Sequence, residues 1–243
     1  MDESGNPSRI VGILGGMGPA ATVDFYDKLI KATPAQHDQD HLRVVIWADP
    51  TVPSRNEAIL SRGQSPTPWL ERGVQTLIRA GAEIIVVPCN TVHTYLPAVM
   101  AMKNVQFISM IDATIEALSR STGGAKIGLL AADGAIASHL YQSALRKAGF
   151  EPVLLDEPSQ QELMQVIDNV KAGRVGREER DRVLTQLTKL VAQGASTVIA
   201  GCTEISVVLS GIEPELNIID PSQVLALKTV ECALSPHHVA SGS

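Results

Sequence analysis

The sequence predicts an α/β fold of two pseudo-symmetric domains, each a parallel sheet flanked by helices, with the functional site in the cleft between them. Three observations carry that prediction. Eight short runs rich in Ile and Val recur along the 243 residues, apolar on both faces rather than alternating, as expected of parallel strands covered on both sides. Helix-length amphipathic stretches lie between them, which makes repeated βα units. The chain also resembles itself at offsets between 110 and 116 residues, the mark of an internal repeat.

In chain order the strand candidates are Ile10–Leu14, Leu42–Trp47, Ile84–Val87, Gln106–Ser109, Lys126–Leu130, Glu151–Leu155, Thr197–Ala200 and Asn217–Ile219. The clearest helical stretches are Val23–Ala32, Pro68–Ala80, Ala137–Ala148, Gln160–Ala172 and Glu178–Gln193. Gly81, Gly149, Gly173 and Gly194 stand where helix C-terminal caps belong. The repeat pairs the stretch from Gly81 to Thr91 with that from Gly194 to Glu204; in both, Gly-Ala is followed eight residues after the Gly by Cys. It pairs Ile10–Leu14 with Lys126–Leu130, each leading to a helix with a Tyr (Tyr26, Tyr141), and Phe107–Ser109 with Ile218–Asp220. We expect a first α/β half-domain over 1–106 plus 212–243 and a second over 107–211. The C-terminal strand and helix are expected to return to the first half, and the tail from Pro236 to Ser243 to be frayed.

Composition removes several functions. There are three Phe, two Trp and three Tyr, and the formal net charge is −6, so neither a base-stacking surface nor a basic face for nucleic acid is expected. No apolar run approaches the ~20 residues of a membrane span, and Met1–Ser8 carries no signal-peptide core. Three cysteines make no disulfide framework, so a cytoplasmic location is expected.

Cys89 and Cys202 are the main chemical signal. Each follows a buried strand and opens a loop, at matched positions of the repeat. Ligands bind beyond the carboxyl ends of strands in open parallel sheets. A disulfide is disfavoured by the compartment. A metal wants three or four ligands, and no CxxC or HxxxH spacing is present. A proton shuttle across a prochiral carbon needs a base on one face and an acid on the other, and a thiol with a pKa of roughly 8.5 can be tuned to either task. Cys232 matches nothing and reads as core.

The turn Gly12–Thr22 formally fits G-x-G-x-x-A from Gly16, a nucleotide fingerprint, but Asp49 lies farther on than the usual ~20 residues. The alternative is a backbone cradle for a small carboxylate at a helix N-terminus. Arg55 follows the second strand, Lys171 ends a helix, and His93 stands two residues after Thr91. The mixed run Arg177–Arg182 reads as a solvated helix face.

Four motifs occur in order: Gly-Gly-Met-Gly-Pro-x-Ala-Thr at 15–22, Pro-Cys-Asn-Thr-x-His at 88–93, Val-Lys-Ala-Gly at 170–173 and Gly-Cys-Thr-Glu at 201–204. Together they resemble the aspartate/glutamate racemase superfamily, the aspartate racemase branch above all, over Arg9 to Leu234. The resemblance implies a cofactor-independent, metal-free amino-acid racemase, usually a homodimer, acting on a small acidic amino acid, with Cys89 and Cys202 as the two bases. It implies Asn90, Thr91 and Thr203 at the α-amino and α-carboxylate groups, Met17 lining the pocket, and Arg55 and Lys171 on the distal carboxylate. Gly16, His93, Ala132, Asp133 and Glu204 are further pocket or supporting candidates. Where the family often has Thr-x-Gly-Thr, residues 131–135 read Ala-Ala-Asp-Gly-Ala, so both hydroxyls are missing and Asp133 is the polar group in their place. The alternatives are an isomerase or racemase of the same fold on another dicarboxylate or a hydantoin-like substrate, a binding-only descendant, and a Rossmann-like nucleotide module.

Overall fold

The protein is seen here as a computed structural model that describes residues 8–119, 125–210 and 217–235; the tail expectation for Pro236–Ser243 lies outside them. The first part of the chain forms β1 (Val11–Gly15), α1 (Pro19–Ala32), β2 (Val44–Ala48), α2 (Arg55–Ile59), α3 (Thr67–Arg79), β3 (Ile84–Val86), α4 (Leu96–Met100), β4 (Gln106–Ile108) and α5 (Met110–Ser119). The second forms β5 (Lys126–Leu129), α6 (Asp133–Ala137), α7 (Leu140–Lys147), β6 (Glu151–Val153), α8 (Glu157–Lys171), α9 (Arg177–Ala192), β7 (Thr197–Ile199), α10 (Thr203–Leu209), β8 (Asn217–Ile219) and α11 (Pro221–Leu234). All eight predicted strands form. The helix expected over 137–148 forms as α7 and starts three residues later, because His139 at φ 53° turns the chain between the short α6 and it.

Local chemistry sets the helix starts. Asp156 accepts from the Ser159 N–H ahead of α8, Asp220 from the Ser222 N–H ahead of α11, and Ser54 from the Glu57 N–H ahead of α2, each satisfying a donor that the first turn leaves open. The four predicted cap glycines all have positive φ, from 79° to 93°.

The strands make two parallel sheets, β2-β1-β3-β4 and β6-β5-β7-β8. The orders are identical once the repeat is applied. Val11 and Gly12 pair with Ile84 and Ile85, as Ile127 and Gly128 pair with Thr197 and Val198. Central strands β1, β3 and β7 are buried throughout, whereas the edge strand β2 is half-exposed and β4, β6 and β8 are partly so. The expectation of cover on both faces therefore holds for the middle of each sheet. At the edges only one neighbouring strand shields the backbone.

Alternation along the strands splits the core into layers. Val11 and Ile13 of β1 and Ile84 and Val86 of β3 pack with Phe25 and Leu29 of α1 and Leu225 and Val230 of α11. Leu14, Ile85 and Val87 point the other way, onto Leu70, Val74 and Leu77 of α3. In the second half Ile127, Leu129 and Ile199 meet Tyr141 and Leu145 of α7 and Ile111 and Leu118 of α5. Each fully buried Leu, Ile or Phe contributes on the order of 2 kcal/mol.

The layers also show how the halves are joined. Helix α5 follows a strand of the first sheet and packs on the second; α11 follows a strand of the second and packs on α1. Each half thus lends its last helix to the other. This alters the expected organisation. Residues 217–219 form β8 and pair with β7 rather than returning to the first sheet, since a strand after a βα crossover adds beside its predecessor. Only the helix returns. Likewise β4, almost wholly assigned to the second half, stays beside β3. Among the described residues no helix is long and apolar enough to cross a membrane.

The turn after β1 closes on itself. Gly16 has φ 89°, and a Cβ there would stand 2.3 Å from the Asp49 backbone nitrogen. Its N–H donates to Thr22 Oγ1 at 2.9 Å, and that hydroxyl donates to Gly18 O. Two glycines at similar φ separate strain from clash. Gly149→Ala, with nothing near its Cβ, is expected to cost about 1 kcal/mol from φ alone. Gly16→Ala is expected to cost well above about 2 kcal/mol, because backbone must also move. Denaturant unfolding of the two variants measures the difference.

Candidate active site

Strands β3 and β7 end at equivalent points, and each delivers a cysteine three residues beyond its last residue: Cys89 after Val86, Cys202 after Ile199. Cys89 leads into a 3₁₀ turn over Thr91–Thr94, and Cys202 is the N-cap of α10. Both thiols are free and buried, at 6 % and 7 % exposure. They face one cavity of about 40 Å³ between the halves, lined also by Met17, Ser54, Arg55, Asn56, Asn90, Thr91, Ala132, Lys171, Thr203 and Glu204. The structure thus brings together ten of the thirteen site residues expected from the sequence. A larger open groove of about 680 Å³ between β4, α5, α7 and α11 is lined by neither Cys89 nor Cys202.

Asn90 is 2 % exposed, and its Oδ1 accepts from the buried Tyr141 hydroxyl at 2.5 Å. Burial pushes the Tyr141 phenol far up, so this oxygen remains a donor. Asn90 Nδ2 is left buried without a partner in the wall of the cavity. An unpaired buried amide costs about 1–3 kcal/mol, a cost that a ligand acceptor would offset.

Arg55 is held by the backbone. Its Nη2 donates to Met17 O at 2.9 Å and its Nη1 to Val52 O and Pro53 O at 3.3 and 3.1 Å, while Nε is buried with no partner. No carboxylate pairs with it among the described residues. The cation is therefore fixed in the wall with its charge uncompensated. Lys171 is half-exposed, and among the described residues its ammonium reaches only Asp168, at 3.2 Å. Such a surface pair is worth little and leaves the chain free to swing. Cys202 Sγ donates to Glu204 Oε2 at 3.0 Å, and Thr203 Oγ1 lies 3.3 Å from the same oxygen. Burial and the Glu204 carboxylate raise the Cys202 thiol, against the pull of Lys171.

Three expected residues do not line the cavity. Gly16 serves the turn described above. Asp133 accepts from Gln160 Nε2 at 2.7 Å and is turned to α8, so it does not replace the missing hydroxyls. His93 donates through Nδ1 to Cys89 O at 2.8 Å and accepts the Met110 N–H at Nε2, 3.0 Å. It is a neutral strut between the Cys89 loop and the start of α5 and touches neither sulfur. Sequence reasoning missed Asn56, Ser54 and the partner of Asn90. Asn56 Oδ1 accepts the Gly134 N–H at 3.0 Å and ties α2 to α6 across the halves. Nothing in the sequence marks Asn56 except its place beside Arg55.

Burial lowers the His93 pKa from 6.5 to about 4. The unfolded chain therefore takes up a proton that the folded one refuses, and stability present above pH 6.5 is lost as pH falls toward 4. The size is about 3 kcal/mol. Unfolding free energies at pH 7.5 and 4.5 should fall more steeply for the parent than for His93→Gln, by nearly that amount.

The chain matches the family model described as Asp/Glu/Hydantoin racemase over residues 14–229. It is 30 % identical over 231 residues to the broad specificity amino-acid racemase RacX of Bacillus subtilis, covering 93 % of this chain and 99 % of that one. It is 28 % identical over 157 residues to a glutamate racemase of Persephonella marina, covering 60 % of this chain and 57 % of the other. Among solved structures, an aspartate racemase of Picrophilus torridus superposes with a TM-score of 0.83 at 32 % identity, covering 93 % of this chain and 94 % of that one. With two matched four-stranded parallel sheets and a cysteine delivered by each, the chain belongs to the Asp/Glu/Hydantoin racemase family.

Proposed function

We propose that this protein interconverts the enantiomers of an acidic amino acid, aspartate first and glutamate second, by a two-base mechanism. The observation that carries the reading is the delivery of two buried thiols, Cys89 and Cys202, by equivalent strands to one small cavity. One sulfur, as thiolate, takes the α-proton; the other thiol gives a proton to the opposite face of Cα. The electron pair left on Cα spreads into the α-carboxylate. Asn90 Nδ2, Thr91, Thr203 and loop amides are the donors available to hold that charge, an electrostatic task for fixed dipoles. Arg55 and Lys171 take the distal carboxylate, with Met17 beside them. Proton transfer between thiols and carbon calls on no prosthetic group in this scheme.

The cavity of about 40 Å³ holds a few waters rather than an amino acid, so substrate entry includes a parting of its walls. Asn56–Gly134, from the cavity wall to the opposite half, is a hydrogen bond that would yield. Ala132 in the cavity wall favours a second reading, a wider range of side chains, as the name of the Bacillus subtilis relative states for that protein. We further place the protein in the cytoplasm as a homodimer; Val23, Tyr26 and Ile30, at 71 %, 37 % and 39 % exposure, make an apolar stripe on α1 that supports self-association.

Chiral chromatography after incubation with single enantiomers of aspartate, glutamate, alanine and lysine tests both readings. Aspartate turning over fastest supports the first; comparable rates on lysine and alanine support the second. Cys89→Ala and Cys202→Ala should each lower the rate at least about 10³-fold, and the Ser variants nearly as much. Full activity in Cys89→Ser would contradict the two-base scheme. Lys171→Gln should raise KM for aspartate about tenfold, the order of one charged hydrogen bond, with the melting temperature unchanged.

A further inference from the structure

The two cysteines stand at equivalent places, yet their surroundings differ in one charged group. The hydrogen bonds at Cys89 run through its backbone, with its N–H on Val87 O and its carbonyl accepting from His93; among the described residues no side chain bonds its sulfur. Cys202 Sγ donates to Glu204 Oε2 at 3.0 Å. In the repeat, Glu204 answers to Thr91, two residues after each cysteine. The fold's symmetry is therefore broken at this pair of positions by a carboxylate on one side and a hydroxyl on the other. Glu204 is 7 % exposed, and no cation pairs with it among the described residues.

We propose that Glu204 is a positioning residue that assigns the two sulfurs their resting states: its carboxylate holds the proton on Cys202, and Cys89 is the sulfur that rests ready as base for the enantiomer whose α-hydrogen faces it. This rests on the two-cysteine reading above and deepens it. Every charged or titratable group facing Cys202 fits the assignment. Glu204 on α10 raises it; Cys89 across the cavity raises it; Lys171 at the end of α8 lowers it by less than burial and Glu204 raise it. Tyr141 on α7 stays a neutral phenol, and the Arg55 guanidinium in the cavity wall is engaged with Val52, Pro53 and Met17 carbonyls.

The atoms balance. From the enantiomer whose α-hydrogen faces Cys89, the C–H bond breaks, a Cys89 S–H bond forms and the electron pair stays on Cα. The Cys202 S–H bond then breaks, its proton bonds the opposite face of Cα, and its electron pair stays on sulfur. The free enzyme left behind carries a Cys202 thiolate beside the Glu204 carboxylate, two like charges in a buried site. It relaxes as Cys202 regains a proton from water and Cys89 loses one to it. The opposite enantiomer draws on the rarer form.

Alkylation by iodoacetamide, followed cysteine by cysteine by peptide mass spectrometry between pH 6 and 11, tests the assignment without any racemase assay. In the unaltered protein Cys89 should alkylate with a lower midpoint pH than Cys202. In Glu204→Gln the Cys202 midpoint should fall by at least about one pH unit, the effect of removing one adjacent like charge, while Cys89 stays in place. Glu204→Asp, which keeps the charge at a shorter reach, should fall between. The basic limb of kcat/KM should move down with the Cys202 midpoint in Glu204→Gln, its acidic limb unmoved. Cys202 alkylating at or below the Cys89 midpoint in the unaltered protein overturns the assignment. So does an unmoved Cys202 midpoint in Glu204→Gln, which is what a purely structural Glu204 gives. Alkylation split as expected with no racemisation of any amino acid keeps the resting protonation states assigned to the two sulfurs and overturns the racemase reading, and with it the role of Cys89 as base.

Discussion

A buried hydrogen bond between the two halves, from the Tyr141 hydroxyl to Asn90 Oδ1, is the constraint on which the site depends. Tyr141 belongs to the core of the second sheet, whereas Asn90 follows Cys89 at the edge of the first. The bond therefore fixes how the two sheet ends face each other. It also decides what Asn90 offers. With the oxygen taken by a phenol that burial keeps protonated, the unpartnered amide nitrogen is what remains for a ligand. His93 works behind the same loop, tying the Cys89 carbonyl to the first turn of α5. Three buried bonds thus hold the Cys89 loop, one at Asn90 and two through His93.

The exchange of final helices gives this arrangement its stiffness. Because α5 is buried on the second half and α11 on the first, the halves cannot separate without exposing both apolar faces. Near the cavity the halves also meet through α2 and α6, which pack together and share the Asn56–Gly134 bond. A rigid pair of sheets suits the proposed proton transfer, since it keeps the two sulfurs in fixed positions. Closing water out of the site also strengthens every charge interaction within it.

Much of this was legible in the sequence because it rests on patterns that burial imposes. Continuous Ile/Val runs marked the eight strands, and cap glycines marked helix ends. The repeat aligned Cys89 with Cys202, and the sheets confirm that alignment strand by strand. What was not legible depends on contacts between distant segments. Asp133 reads as a pocket acid, but Gln160, far along the chain, claims it. Gly16 reads as part of an anion cradle, but Thr22 takes its amide. The strand at 217–219 reads like the others, and only pairing tells to which sheet it belongs. Arg55 is visible as a cation near a strand end; that three carbonyls hold it in place is not.

The central claim is that two fixed sulfurs work on opposite faces of one carbon, and the fate of the α-hydrogen in D₂O tests it most directly. Starting from a single enantiomer of aspartate, proton NMR and mass spectrometry at early times would follow label in both enantiomers. The account predicts that the antipode forms with one deuterium at Cα while the remaining starting enantiomer keeps its proton, because each face exchanges with its own sulfur. Deuterium entering the starting enantiomer as fast as the antipode appears would mean a single base serving both faces and would contradict the account.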